Sequence, residues 1–373
     1  MSIVQGTTAA RFDRLREVFE QQLSSGDDVG ASVAVYLKGE MVADLWGGFT
    51  DEQMTKPWER DTILNVWSVT KTMTFLVALM LSDRGQLDFH APVKTYWPEF
   101  AQNGKSDIEV RHVMGHTAGL PFWSAPMEFE ALADWEYCTS ALAAQTPLWE
   151  PGTVSGYHLV TQGYLIGEIV RRITGTTFGE FFKAEVASVL DADFHIGLPA
   201  SEDWRVSSVI PAVGSILDGL DPQSIAYRAW TSPPLDFTWP RERWWRGAEI
   251  PSSNGHGNAR SVATIQSIIA NRGEFNGKRF FSEKTGDQIF ETQAHGVDLV
   301  LGIEAHFGMG YGLASSVTPL GPRSCYWAGL GSLIIMDQDL GLTIAYTPNK
   351  MQIVPGGTRG ANIARAATEA VFN

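Results

Sequence analysis

The sequence predicts an α+β fold: an antiparallel sheet assembled from both ends of the chain, flanked by N- and C-terminal helices, with a mostly helical lobe inserted between. Three observations predict it. A hairpin signal lies near the N-terminus, a strand-turn-strand pattern lies near the C-terminus, and the long intervening stretch is rich in Pro, Gly and Trp with helical patches.

Taken in order, Phe12, Leu15, Phe19 and Leu23 recur at helical spacing and predict an amphipathic helix that ends near Gly26 and covers a sheet. The segment ASVAVYLKGEMVADLWGG is two Val- and aromatic-rich runs split by Lys38-Gly39, a hairpin. From Ser68 the pattern becomes helical, with Val69, Met73, Leu76, Val77 and Met80 on one face before Gly85 stops it. Its surroundings in sequence are apolar nearly all round, so this helix is expected to be buried. Another helix is predicted from Thr161 to Thr174, where Gly163 and Gly167 permit close packing. The stretch CYWAGLGSLIIMDQDLGLTIAYTPNK reads as strand, acidic turn at Asp337 to Asp339, strand, and Gly360 to Phe372 as a final amphipathic helix. No repeat or low-complexity linker separates these parts. The lobes are therefore expected to interleave, with 1–60 and 290–373 forming the sheet lobe and 61–289 the helical one.

Bulk properties narrow the function. The chain has 373 residues, 44% hydrophobic and 19% charged, enough to bury a substantial core. A formal net charge of −14 argues against gripping nucleic-acid phosphates, which takes clustered Lys and Arg. Cys138 and Cys325 sit in no metal-ligand or redox spacing and the histidines form no recognisable ligand set, so neither metal nor cofactor is expected. No basic region precedes an apolar run at the N-terminus and no stretch has the apolar length to span a bilayer, so no membrane partner and a cytoplasmic location are expected.

Ser68-Val69-Thr70-Lys71 is the only S-x-x-K in the chain. One helical turn places the Ser68 hydroxyl beside the Lys71 amine, and an apolar first turn lowers a lysine's pKa through desolvation and the positive end of the helix dipole. The amide of Ser68 would also form half of an oxyanion hole. Ser68 as a simple N-cap and Lys71 reaching to solvent are the competing readings. Tyr157 lies where a Pro-Gly segment enters a helix, a place where a phenol can be held against another side chain. The residues alone leave it equally readable as a core tyrosine, and neighbouring His158 is as ambiguous.

In order, SVTK, HVMGHTAGLP, GYH before a long helix, and W-A-G ahead of a strand together resemble the family VIII carboxylesterases, relatives of class C beta-lactamases and penicillin-binding proteins. The resemblance runs through most of the chain and implies a beta-lactamase/transpeptidase-like fold with its active site between the lobes. It makes Ser68 the nucleophile and Lys71 and Tyr157 the acid–base pair, without deciding which is the base. It also makes Trp327-Ala328-Gly329 the third motif on a sheet edge and the Leu330 amide the second oxyanion donor. The stretch from His112 to Pro121, with His116, Thr117 and Gly119, is expected to support the site by packing.

Two departures bear on substrate. Lys284-Thr285-Gly286 spells the third motif of beta-lactamases but sits in a predicted helix capped by Ser282, so Trp327-Ala328-Gly329 takes that place with an aromatic wall where a lysine would hold a carboxylate. Beta-lactamases commonly carry Tyr-x-Asn, and the third position here is Leu159. Small neutral carboxylic esters are therefore the expected substrates, with Trp327, Ala328, Gly329, His158 and Trp239 expected to contact them. The aromatic segment from Tyr227 to Trp245 reads as a lid, an acyl-pocket wall, an ordinary packed loop or a dimer contact. The alternatives are a beta-lactam or D-amino-acid amide hydrolase, an acyltransferase of the same fold, and a non-catalytic binding or sensor protein. A homo-oligomer is left open.

Overall fold

A computed structural model describes residues 3–353 and 357–372. Among these, nine strands form one antiparallel sheet: β1 Val4–Thr8, β2 Gly30–Leu37, β3 Glu40–Gly48, β4 Ala294–Val297, β5 Glu304–Phe307, β6 Gly312–Leu313, β7 Ser324–Ala328, β8 Leu333–Asp337 and β9 Leu342–Pro348. Their spatial order is β1-β3-β2-β9-β8-β7-β6-β5-β4, so N-terminal and C-terminal strands meet where β2 pairs with β9. The turn between β2 and β3 is Lys38-Gly39, both at positive φ (51° and 81°), the conformation that lets a two-residue hairpin follow the twist of its strands.

Alternation along the central strands divides the core. Val33, Val35, Leu342, Ile344 and Tyr346 face α1 (Asp13–Ser24) and the C-terminal helix, whose Leu15, Phe19, Leu23, Ile363 and Ala367 complete one apolar layer. Ala34, Tyr36, Ile334, Met336 and Ala345 face the other way, into the larger core. There lies α2 (Thr70–Asp83), buried at every position from Thr70 to Leu81, with Gly85 at φ 67° just past its end. Beside it runs α3 (Thr161–Thr174). A Cβ on Gly163 would come within 2.5 Å of Ser252 N, so the close packing permitted by this glycine admits the backbone of the 251–252 segment.

Two expectations need correction. The C-terminal stretch holds three strands, because Gly329 to Ser332, with Gly331 at φ 118°, makes a second turn between β7 and β8. The boundary drawn near 290 also misplaces α4 (Ala259–Ala270). Its apolar face packs on β2, β8 and β9, and Tyr36 Oη on the sheet is 3.0 Å from Thr264 Oγ1 on the helix. No described helix is long and apolar enough to cross a membrane.

Candidate active site

Ser68 sits in a 3₁₀ turn, Trp67–Val69, that leads into α2. The residue before it, Trp67, has φ 51°, a left-handed conformation that costs a bulky residue about 1–3 kcal/mol and persists only where its surroundings impose it. Thr70 does so locally: its Oγ1 donates to Trp67 O (2.5 Å) and accepts from Gly255 N (2.9 Å). The strained turn presents the Ser68 hydroxyl to a cleft instead of burying it along the helix.

Lys71, one turn on, is fully buried, and its Nζ lies 3.4 Å from Ser68 Oγ. The same nitrogen donates to Leu159 O (2.6 Å) and Ser252 O (3.0 Å). No carboxylate pairs with it among the described residues, and burial holds its pKa well below the ordinary lysine value. A neutral amine has two N–H groups and one lone pair. In that neutral form, with the two carbonyls taking both N–H groups, the lone pair can accept from the Ser68 hydroxyl. The alternative of Lys71 snorkelling to solvent is thereby removed. Leu159, whose side chain cannot replace an asparagine, contributes through its main chain.

Tyr157 is buried with its ring 4.9 Å from Lys71 Nζ, and burial raises its phenol pKa while the Ser68 hydroxyl and Trp327 indole oppose that shift. Its backbone is held from two sides. His116, at φ 61°, accepts from Gly156 N through its carbonyl (3.0 Å) and from His158 N through Nδ1 (3.0 Å), while Asp298 Oδ1 accepts from Tyr157 N (3.0 Å). His116 also stacks on Trp327 with ring centroids 5.7 Å apart. Burial lowers both imidazoles, His158 to about 3, so both are neutral supports.

The W-A-G segment approaches from the sheet. Strand β7 is interior, not an edge: it pairs with β8 along its length but with β6 only at Cys325 and Tyr326, so Trp327 to Gly329 run on past β6 into the cleft. A Cβ on Gly329 would stand 3.0 Å from Val66 O and 3.2 Å from Ser68 N, which explains a glycine at this crossing. Neither the Ser68 amide nor the Leu330 amide donates to another group among the described residues. Both residues line the cleft, so their amides are available to an acceptor there.

These groups open into an apolar cleft. Its apolar lining is made by Trp67, Trp230, Leu235, Phe237, Trp245, Leu301, Phe307, Tyr326, Trp327 and Leu330. Ser68, Tyr157, Ala328 and Gly329 also line it, and none of the lining residues is charged. Two expected contacts fall outside. His158 is fully buried, with Nδ1 on Gly156 O (2.7 Å) and Nε2 accepting from Leu120 N (3.2 Å), which leaves no ring nitrogen for a substrate. Trp239 lies behind the wall, 5.5 Å from the ring of Trp245 and 5.5 Å from that of Phe129. Lys284 sits in the short helix Glu283–Asp287, capped by Ser282 Oγ, and not at the cleft.

The Beta-lactamase family profile matches residues 15–368. The chain is similar to a family VIII carboxylesterase of known crystal structure, with TM-score 0.91 and 36% identity over 98% of this chain and 99% of that one. It is 34% identical to Esterase/beta-lactamase LipL of Mycobacterium tuberculosis (strain ATCC 25618 / H37Rv), over 75% of this chain and 68% of that protein. With Esterase EstB of Burkholderia gladioli it shares 27% identity, over 93% of this chain and 92% of the relative.

Proposed function

Since the chain belongs to the Beta-lactamase family and is a serine hydrolase acting on esters, we propose that Ser68 is its nucleophile, Lys71 its general base and Tyr157 its general acid. The observation that carries this reading is Lys71 Nζ held 3.4 Å from Ser68 Oγ by two carbonyls, with no carboxylate paired to it among the described residues and with burial favouring its neutral form. Lys71 takes the hydroxyl proton as Ser68 Oγ bonds to the ester carbonyl carbon. The amides of Ser68 and Leu330 hold the resulting oxyanion. As the carbon–oxygen bond to the alcohol breaks, Tyr157 gives its proton to the departing oxygen. The Lys71 ammonium returns a proton to the phenolate, and water then cleaves the Ser68 ester by the same steps in reverse.

Substrate class follows from the lining. A beta-lactam carboxylate would find no cation in this cleft, whereas a neutral ester buries its apolar parts against tryptophan and phenylalanine. Small neutral carboxylic esters are the substrates we propose, and transfer to an acceptor alcohol needs only that alcohol in place of water. A non-catalytic sensor is disfavoured because all three reacting side chains are present and in reach of one cleft. The proposal sets the cleft between the sheet and the helical lobe. It also includes a cytoplasmic setting, in keeping with two buried free thiols, and leaves assembly to light scattering in solution.

The test is intact-protein mass and peptide mapping after a pulse of p-nitrophenyl butyrate or an organophosphonate, with initial rates on that ester and on nitrocefin. An adduct on Ser68, absent in Ser68→Ala together with at least about a thousandfold of turnover, is expected. Unchanged turnover in Ser68→Ala would overturn the assignment, and nitrocefin loss as fast as ester cleavage would move the substrate class to beta-lactams.

A further inference from the structure

Behind Tyr157, away from the cleft, lies a buried carboxylate that the reaction does not consume. Asp298 has no solvent exposure, and its Oδ1 accepts from Tyr157 N (3.0 Å), Val300 N (2.8 Å) and Leu301 N (2.9 Å). Its own backbone closes the 298–303 turn, with Asp298 N donating to Ile303 O (3.0 Å) and Gly302 N donating to Asp298 O (2.9 Å). Leu299 N donates to Ser155 O (2.9 Å), a second tie between this turn and the segment that carries the phenol. Asp298 Oδ2 is buried with no hydrogen-bond partner, so the carboxylate stays where it is at a cost in desolvation. Outside the tie, the turn is exposed and apolar at Leu299 and Ile303. Leu301, from the same turn, lines the cleft with Tyr157.

We propose that Asp298 is a positioning residue whose carboxylate clips the main chain of Tyr157 to the 298–303 turn, so that the acid of the reaction and the Leu301 wall are held as one unit. The inference rests on Tyr157 being that acid. Holding matters because a displacement of about 1 Å at a reacting group costs on the order of a hundredfold in rate. Its negative charge also opposes formation of a phenolate on Tyr157, in keeping with a phenol that holds its proton until the leaving group departs. Asn keeps an oxygen for the three amides, whereas Ala removes it.

The leaving group provides a readout that general destabilisation would not move, since p-nitrophenolate departs without a proton and an alkoxide does not. Values of kcat/KM, which report acylation and leave out the deacylation step common to both esters, are compared on p-nitrophenyl butyrate and ethyl butyrate per active site, titrated with an organophosphonate, for wild type, Asp298→Ala, Asp298→Asn and Tyr157→Phe. Asp298→Ala is expected to lose about tenfold or more in kcat/KM on the ethyl ester and less than about threefold on the nitrophenyl ester, with Asp298→Asn restoring both to within about threefold of wild type. Equal losses on both esters in Asp298→Ala, no loss on either, or an Asn variant as impaired as Ala would overturn the clip. Tyr157→Phe separates the two failures: equal losses on both esters there would mean that the acid is misassigned, whatever Asp298 does.

Discussion

On opposite faces of the sheet, Lys71 and Arg359 are both buried cationic side chains, and the protein surrounds them differently. Arg359, from the C-terminal helix, is bound by the carboxylate of Asp28, which also accepts from Tyr346 Oη, and it donates to the carbonyls of Asp27 and Lys350. That is a closed network, with every partner spent on holding α1, the sheet and the last helix together. Lys71 has two carbonyls and a serine hydroxyl but no anion. An arginine is charged in any protein setting and needs a counter-ion when buried, whereas a lysine buried without one is pushed toward the neutral amine that can serve as a base. Carbonyls alone do not make such a base: Lys105 is also buried against two of them, its pKa lowered to about 8, but no hydroxyl among the described residues is hydrogen-bonded to its amine.

Exchanging each cation for methionine, similar in length and uncharged, breaks the comparison most sharply. Lys71→Met is expected to lose about a thousandfold or more in ester turnover while remaining folded. Arg359→Met is expected to keep its turnover per folded molecule but to lose about 3–5 kcal/mol of stability in urea unfolding, because Asp28 is left buried and unpaired. Linkage gives the first variant a further signature. The folded-state pKa of Lys71 is depressed below its ordinary value of 10.5, so below that pH the unfolded chain binds a proton that the native state lacks. Wild-type stability therefore gains on Lys71→Met as pH rises toward 10.5, by up to about 1.4 kcal/mol per pH unit. A pH-independent difference between the two would mean that Lys71 is protonated in the native state and that the contrast with Arg359 is false.

A smaller effect sharpens the cleft side. Gly329→Ala inserts a methyl 3.0 Å from Val66 O and 3.2 Å from Ser68 N, wedging apart the two segments whose amides flank the nucleophile. A loss of about ten- to a hundredfold in kcat with KM within about threefold of wild type is expected on p-nitrophenyl esters, since the oxyanion exists only after substrate has bound. An unchanged kcat would remove the Leu330 amide from the mechanism.

Legibility in the sequence follows the physics of each feature. Periodicity and turn residues mark the elements, because local backbone preference and burial write them directly: the Lys38-Gly39 hairpin turn and the helix from 161 to 174 are found where the pattern puts them. Ser68 and Lys71 are legible because one helical turn joins them. The carbonyls of Leu159 and Ser252 are not, since a main-chain acceptor has no side-chain signature and these two come together only through Gly163 and the 251–252 segment. Asp298 is hidden for a related reason, as its partners at 157, 300 and 301 are amides that every residue but proline carries. The turn at Gly329 to Ser332 is masked by flanking apolar runs that read as one strand.

The aromatic segment from 227 to 245 shows the same limit, because composition reports how much indole is present and not which rings face inward. Trp245 and Phe237 line the cleft, while Trp239 supports them from behind, packed among Phe129, Trp244 and Trp245. Trp239→Phe should therefore leave KM for p-nitrophenyl butyrate within about twofold of wild type and cost stability, about 1–3 kcal/mol, through lost packing. Phe237→Ala should do the reverse, raising KM by about ten- to a hundredfold as the wall is opened, in line with the roughly 1–3 kcal/mol that one apolar contact is worth to a bound substrate. The pair is read by initial rates and urea unfolding on the same preparations. If Trp239→Phe instead moved KM and Phe237→Ala did not, the wall would have to be redrawn with Trp239 on the substrate side.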